Sequence, residues 1–482
     1  MKNGIDIVLI KPGGRMNLFG NLAPSLSGFA PPLDIGLVAS FLREKGYSVR
    51  IIDADAEFLT PEQTAQKIAN YNPLLAGIFA HTIRMVHASE TVKELRNKAP
   101  GLKVLLGGRH PSALPEKTLL ECAPDFVCQG EAFYPLLELL KILKSGSPEA
   151  EYNIKGVWYF RNGLVVSNPP HSLIKDLDEL PLIAWDLLPM DKYRAHNWHC
   201  FSDPDRRQPY AIIYTSIGCP FKCTYCCVNA AYGGPGIRYR SPGKVMEEVD
   251  YLVKNYGVKN IRIVDDIFTF KPDAVIELCD MLIERDYGLN IWSYARVDTV
   301  TEPMLKKMKR AGIHWVCYGL EAGHEKVREG VFKRLTLDKI EKGIKMTQEA
   351  GIYILANFVF GLPDDDSETM QATLDMAKEF NFEYVNFYVA MAWPGSKLYD
   401  DAVKDGMELP KTWAGYAQLS EDTLPLPTKH ISASQVLRFR DEAFVSYFSN
   451  PKYLDMMERK FGQDVVARIK DMLTHSIKRK HI

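Results

Sequence analysis

Apolar positions in the first part of the chain fall into short solid runs separated by stretches of helical period. Residues 5–10, Ile-Asp-Ile-Val-Leu-Ile, end at Lys11-Pro-Gly-Gly14, the pattern of a buried parallel strand and the loop after it. Residues 33–45 carry helical periodicity and stop at Gly46, a C-cap glycine. The alternation continues, with strands predicted at 47–53, 75–80, 103–106 and 126–128 and helices at 61–70, 86–98 and 133–143. It predicts a doubly wound, Rossmann-like α/β domain over residues 1–145. Ligands on such sheets bind beyond the carboxyl ends of the strands. Gly13-Gly14, His81-Thr82 and Gly107-Gly108 fall there, and glycine lets backbone approach a bulky ligand closely. The plain alternative for each is an ordinary turn.

Residues 146–208 read as a linker, punctuated by Gly146, Pro148, Gly156, Gly163, Pro169-Pro170 and Pro181, with a small hairpin at 156–166. Trp185 to Tyr193 is expected to pack between domains, and the run His196-Asn-Trp-His199 is assigned to packing. Over residues 209–400 the strand–helix pattern resumes. Strands are predicted at 212–217, 261–264, 291–295, 315–321, 354–360 and 384–389, with amphipathic helices such as 242–255 and 303–310 between them. Residues 401–482 form a polar helical extension, with helices at 435–449 and 451–460. Its Tyr447, Phe448, Tyr453, Met456 and Met457 are assigned to packing, the alternative being a cover over a substrate pocket.

The length of 482 residues argues for two or three domains. Lys plus Arg, 59, nearly balances Asp plus Glu, 60, so no general attraction to nucleic acid or anionic membrane is expected. The basic terminal run Lys478-Arg-Lys-His481 reads as a short solvated tail. No apolar run reaches the ~20 residues of a membrane helix. Met1-Lys2-Asn3-Gly4 leads directly into a strand pattern, and a cytoplasmic location is expected. Cys122, Cys128, Cys200, Cys279 and Cys317 lie mostly in apolar surroundings and read as buried thiols, so disulfides are not expected.

Cys219-Pro-Phe-Lys-Cys223-Thr-Tyr-Cys226 concentrates the chemistry, with C-x3-C-x2-C spacing directly after a predicted strand. Thiolates are soft ligands suited to iron–sulfur clusters, and three close cysteines can hold three irons of a cubane and leave the fourth open. Structural zinc would want a fourth ligand, and Cys227 is too near Cys226 to supply it. A zinc knuckle or unrelated thiols is the competing reading. Polar side chains close three of the other strands, Asp265 and Asp266, Arg296, and Glu321, and Gly361 closes another. Parallel α/β barrels carry their active sites at this end, although each group alone could be a helix cap.

The cysteine run, with Tyr225 before its last member, resembles the signature of the radical S-adenosylmethionine (SAM) superfamily. The loops Ala30-Pro-Pro-Leu-Asp-Ile-Gly36 and Gly107-Gly-Arg-His-Pro-Ser-Ala-Leu-Pro-Glu116, with the five-strand layout, resemble the cobalamin-binding domain that precedes the catalytic domain in many such enzymes. The resemblance implies a partial (βα)6 barrel and a [4Fe-4S] cluster on Cys219, Cys223 and Cys226. Tyr225, Asp265, Asp266, Arg296, Glu321 and Gly361 are then candidate SAM contacts. Thr82, Gly107, Gly108 and His110 are candidate cobalamin contacts. Corrinoid methyltransferase domains often carry Asp-x-His-x-x-Gly after the first strand. Lys11-Pro-Gly-Gly-Arg-Met has no histidine, so any cobalamin is expected to lie without a histidine below the cobalt.

The implied reaction is reductive cleavage of SAM to a 5'-deoxyadenosyl radical that abstracts hydrogen, with cobalamin-dependent methyl transfer to an unactivated carbon. The alternative is a non-methylating radical reaction, an oxidative cyclisation, dehydration or rearrangement, and a non-catalytic cluster or corrinoid carrier is a third class. An external one-electron donor such as flavodoxin or ferredoxin is implied. Lipid, sugar, tetrapyrrole and peptide substrates all remain open.

Overall fold

The computed structural model describes residues 4–15, 18, 28–146 and 152–482. Residues 1–3, Met16 and Pro148, read above from the sequence, lie outside them. Five parallel strands, β1 (Ile7–Lys11), β2 (Val49–Asp53), β3 (Leu75–Phe79), β4 (Lys103–Gly107) and β5 (Phe126–Cys128), pair in the order β2-β1-β3-β4-β5. Their solid apolar runs follow from burial on both faces. Ile7 and Leu9 join one core with helices α1 (Leu33–Glu44) and α6 (Phe133–Ser145). Val8 and Ile10 join a second with α2 (Pro61–Tyr71) and α3 (Met85–Lys98).

The hairpin at 156–166 does more than link. Its strands β6 (Val157–Arg161) and β7 (Leu164–Ser167) continue the first sheet as an antiparallel edge, pairing Phe126 with Tyr159. Burial of Val157 and Tyr159 and cover for the edge of the three-residue β5 explain the attachment.

A second sheet of six parallel strands follows: β8 (Tyr210–Ile213), β11 (Asn260–Ile263), β12 (Asn290–Ala295), β13 (Ile313–Glu321), β14 (Tyr353–Phe360) and β15 (Tyr384–Val389), in the order β15-β14-β13-β12-β11-β8. Its two end strands do not pair with each other, so the barrel is open. The run 212–217, expected as one strand, breaks after β8. There the N–H of Thr215 donates to Asp265 at 2.7 Å, and β9 (Ser216–Ile217) turns to pair antiparallel with β10 (Arg238–Tyr239).

The connecting segment closes the amino-terminal end of this barrel. Trp198 packs edge-on against Trp292 and Trp315, and Asn290 Nδ2 donates to the His199 carbonyl at 3.0 Å. Glu248, on the helix between β10 and β11, accepts from Ile183 N–H at 3.0 Å, Trp185 Nε1 at 2.8 Å and Arg240 at 2.8 Å. The Ala184 N–H donates to Gly36 of α1, so this stretch bridges the two sheets' helices.

The extension has three helices at its end (Ala433–Phe448, Pro451–Phe461 and Gln463–Leu473), one more than expected. Tyr447 and Tyr453 donate to the Phe382 and Glu383 carbonyls just before β15, which makes their role packing rather than cover. Among the described residues no helix is long and apolar enough to cross a membrane.

Candidate active site

The cysteine loop is held from several sides. Gly218, immediately before Cys219, has φ +94°, and a Cβ there would lie 2.5 Å from the Gly236 carbonyl oxygen, so only glycine serves. The Gly236 N–H donates to the Cys219 carbonyl and the Cys226 N–H to that of Cys223, both at 3.1 Å. Thr224 N–H reaches the Val331 carbonyl, and the Thr224 carbonyl accepts from Leu398 N–H. All three thiols are half-buried and unbridged. Burial raises Cys219 and pushes Cys226 up to about 12, so thiolate ligands here need a compensating cation.

Asp265 and Asp266 divide between scaffold and mouth. Asp265 is buried, and its oxygens accept from Thr215 N–H, the Thr215 hydroxyl (2.5 Å) and the Ser216 hydroxyl (2.6 Å). The expectation that it contacts SAM is corrected: its acceptor capacity fixes the turn into the cysteine loop. Asp266 is half-buried and accepts from the Gly218 N–H, next to Cys219.

Burial raises Asp265 from 3.8 to about 6. The folded protein therefore keeps this proton to higher pH than the unfolded chain, and stability falls as pH rises between about 4 and 6. Asp265→Asn should flatten that part of the profile, worth on the order of 2–3 kcal/mol, as read by urea midpoints across this range. An unchanged slope would contradict the assignment.

Arg296 is also committed to the protein. It donates to Asp298 at 2.7 Å and to the Lys333 carbonyl at 2.6 Å, while Phe221 of the cysteine loop lies 4.4 Å from its guanidinium. The expected pairing with a SAM carboxylate gives way to a structural clamp, because these bonds bury the group. Glu321 has φ +69° beside a register shift in β13, pairs with Lys333 at 2.7 Å and accepts from the Tyr225 hydroxyl. The Gly361 N–H donates to Asp365 at 3.0 Å. Tyr225, Asp266, Glu321 and Gly361 thus lie around the barrel mouth, and Lys333 is a member that sequence reading missed.

The carboxyl end of the first sheet meets this mouth. Helix α4 (Arg109–Ala113), following β4, packs against the helical turn Val228–Tyr232 that leaves the cysteine loop. Arg109 comes within 3.9 Å of Asp266. Asp34 and His81 keep exposed surface at this end of the sheet, with Arg109 and Lys11 near both. Burial raises Asp34, and burial with Arg109, Arg84 and Lys11 nearby lowers His81 to about 3.

The glycine expectation is corrected here. Gly108 has φ +101°, and a Cβ would lie 2.8 Å from the Ala80 carbonyl oxygen, so contact within the sheet requires it whatever binds beyond. Gly107 ends β4 under the Phe79 ring. Thr82 is buried, 3.2 Å from His110 Nδ1; the His110 ring packs on Trp413 and its buried Nε2 has no partner among the described residues. At the end of β1, Lys11 pairs with Asp53, and in the loop after it Gly13 N–H donates to His87 Nδ1 at 3.3 Å. His81 lies in a loop that the sequence already puts at the ligand end, whereas Arg109 and Asp34 lie within quoted runs without being singled out there.

Two family profiles match the chain: "B12 binding domain" over residues 22–140 and "Radical SAM superfamily" over residues 213–377. An uncharacterized methyltransferase of Pyrococcus horikoshii is 32% identical over 88% of this chain and 89% of its own. The chain belongs to the B12-binding radical SAM enzymes. The anaerobic magnesium-protoporphyrin IX monomethyl ester cyclase of Rubrivivax gelatinosus is 29% identical over 78% of this chain and 67% of its own. Among solved structures, the radical SAM methyltransferase TsrM of Kitasatospora setae, with cobalamin and a [4Fe-4S] cluster bound, shares the fold. Its TM-score is 0.66 at 18% identity, over 83% of this chain and 75% of that one.

As a member of this family the enzyme uses a [4Fe-4S] cluster, SAM and cobalamin. The site fits them. No group of three or more His, Cys, Asp or Glu side chains among the described residues converges on a single metal ion. A cubane does not require that, since each thiolate takes a different iron. On the facing sheet, Lys11, Asp34, His81 and Arg109 lie near one another and offer both donors and acceptors, as a corrin rim of amide side chains demands.

Proposed function

We propose that this enzyme methylates an unactivated carbon, with Cys219, Cys223 and Cys226 holding three irons of the cluster. Bound together, the cofactors supply one-electron cleavage of SAM for hydrogen abstraction and a cobalt-borne methyl group. The chain's own residues hold the geometry. Asp265 fixes the chain at Thr215 and Ser216 and Asp266 at the Gly218 N–H, and together they orient Cys219. Tyr225, Glu321 and the backbone at Gly361 are the proposed SAM contacts, with Asp266 the group open to its ammonium or ribose. Thr82, Gly107, Gly108 and His110 border the corrinoid side, where Asp34, His81 and Arg109 would meet the amide rim. The half-buried cysteine loop leaves an edge for an external one-electron donor.

The observation that carries this reading is the approach of the two carboxyl ends. Arg109 from the first sheet lies 3.9 Å from Asp266 beside the cysteine loop, so ligands on the two sheets would face each other. SAM with a radiolabelled methyl group should deliver label to a carbon of the product under reducing, anaerobic conditions. Label that stays in SAM and in the methionine released by its cleavage, with product formed, would overturn the reading. Oxidative cyclisation is the second reading, favoured by likeness to a relative named as a cyclase. It predicts unlabelled product.

A further inference from the structure

We propose that the lumen of the open barrel carries a subsite for an oxyanion of the substrate, a carboxylate or phosphate-type group, with Arg262 as its cation. The proposal rests on the reading of this barrel as the substrate-binding domain.

Arg262 lies at mid-strand in β11. Its neighbours Ile261 and Ile263 are buried on the outer face, so the alternation of a strand turns Arg262 inward. Tyr294 of β12, Asn357 of β14, and Asn386 and Tyr388 of β15 are half-buried and share this interior with it. Below them Trp198 and Asn290 plug the barrel, and above them is the cysteine loop.

The electrostatics of this lumen are unbalanced. Other deeply set arginines have carboxylate partners: Arg15 and Arg84 on Asp55, Arg240 on Glu248, Arg296 on Asp298. Arg328, which is fully buried, donates to three backbone carbonyls instead. Arg262 has neither arrangement. Nη2 donates to the Tyr294 hydroxyl at 2.9 Å, Tyr210 is its other hydrogen-bond partner, and the guanidinium lies 4.7 Å from the Trp292 ring centre. Among the described residues no carboxylate forms an ion pair with it, and its shielded Nε has no partner.

The two phenols do not neutralise it, since burial raises both and pushes Tyr210 up to about 12. The rest of the lining is uncharged. Asn357 Nδ2 donates to Cys317 Sγ at 3.2 Å and Asn386 Nδ2 to Asn357 Oδ1 at 2.9 Å. A half-buried guanidinium without a counter-charge favours an anion beside it, and a forked donor suits a two-oxygen anion. The aromatic faces beside it suit a planar body on that anion.

Isothermal titration tests this on the anaerobic, cluster- and cobalamin-replete enzyme. Saturating SAM is present without reductant, so the probe cannot occupy the SAM site. The probes are benzoate and its uncharged counterpart benzamide. Benzoate should bind about tenfold more tightly or better. Arg262→Lys should retain the preference, and Arg262→Gln should lose it. Equal affinities in the unaltered enzyme, binding of neither probe, or a preference that survives Arg262→Gln would overturn the subsite. The unaltered enzyme and Arg262→Lys decide the matter if Arg262→Gln does not fold. No turnover is needed, so this outcome and that of the methyl-label experiment are independent.

Discussion

Cys223→Ala is expected to give a folded protein that retains corrinoid but no longer cleaves SAM. The loop around Cys223 is held by backbone bonds, from Thr224 N–H to Val331 and from Leu398 N–H to Thr224, and alanine leaves those intact. The thiol itself is half-buried, and its hydrogen bond to the Phe332 carbonyl is long, at 3.9 Å. What is lost is one of three iron ligands. Reductive SAM cleavage should drop by roughly three orders of magnitude or more, the scale seen when one member of a catalytic unit is removed. Iron and sulfide content should fall with it, while the melting temperature stays close to that of the unaltered enzyme. Cys227→Ala provides the contrast and should keep both iron and activity. Full SAM cleavage by Cys223→Ala would remove the cysteine loop from the mechanism.

Glu248→Ala should be strongly destabilising. Glu248 and Arg240 form an ion pair at 2.8 Å with both side chains 0% exposed. The same carboxylate accepts from Ile183 N–H and Trp185 Nε1, so it ties the connecting segment to the barrel. Removal leaves a buried guanidinium without its partner and two buried donors without an acceptor, a loss of about 3–5 kcal/mol. Chemical denaturation should read that loss. Adding Arg240→Met to the variant should recover part of it, because the uncompensated charge goes too. A loss below about 1 kcal/mol would mean the pair contributes little to holding the two parts together.

Much of this architecture was legible in the sequence because its signals are local. Solid apolar runs, helix periodicity and closing glycines located the strands of both parallel sheets to within a few residues. The cysteine spacing is likewise contiguous. What the sequence concealed depends on partners distant in the chain. Nothing local says that the hairpin at 156–166 pairs with Phe126, or that Glu248 holds Trp185. The strand-end polar groups show the same limit. Asp265 and Asp266 are adjacent and chemically identical in sequence, yet one faces Thr215 and Ser216 and the other the mouth. Arg296 looked free for an anion until its bonds to Asp298 and the Lys333 carbonyl were visible. Arg262, an ordinary arginine in a strand pattern, gained interest only from the absence of a carboxylate around it.

One enzyme is expected to use SAM both as radical source and as methyl donor. The most direct measurement is the yield of the two SAM-derived products in one anaerobic reaction of cobalamin-replete enzyme with substrate. S-adenosylhomocysteine and 5'-deoxyadenosine should form in equal amounts, each matching the methylated product. Product formed with 5'-deoxyadenosine alone, from protein that demonstrably holds cobalamin, would contradict it.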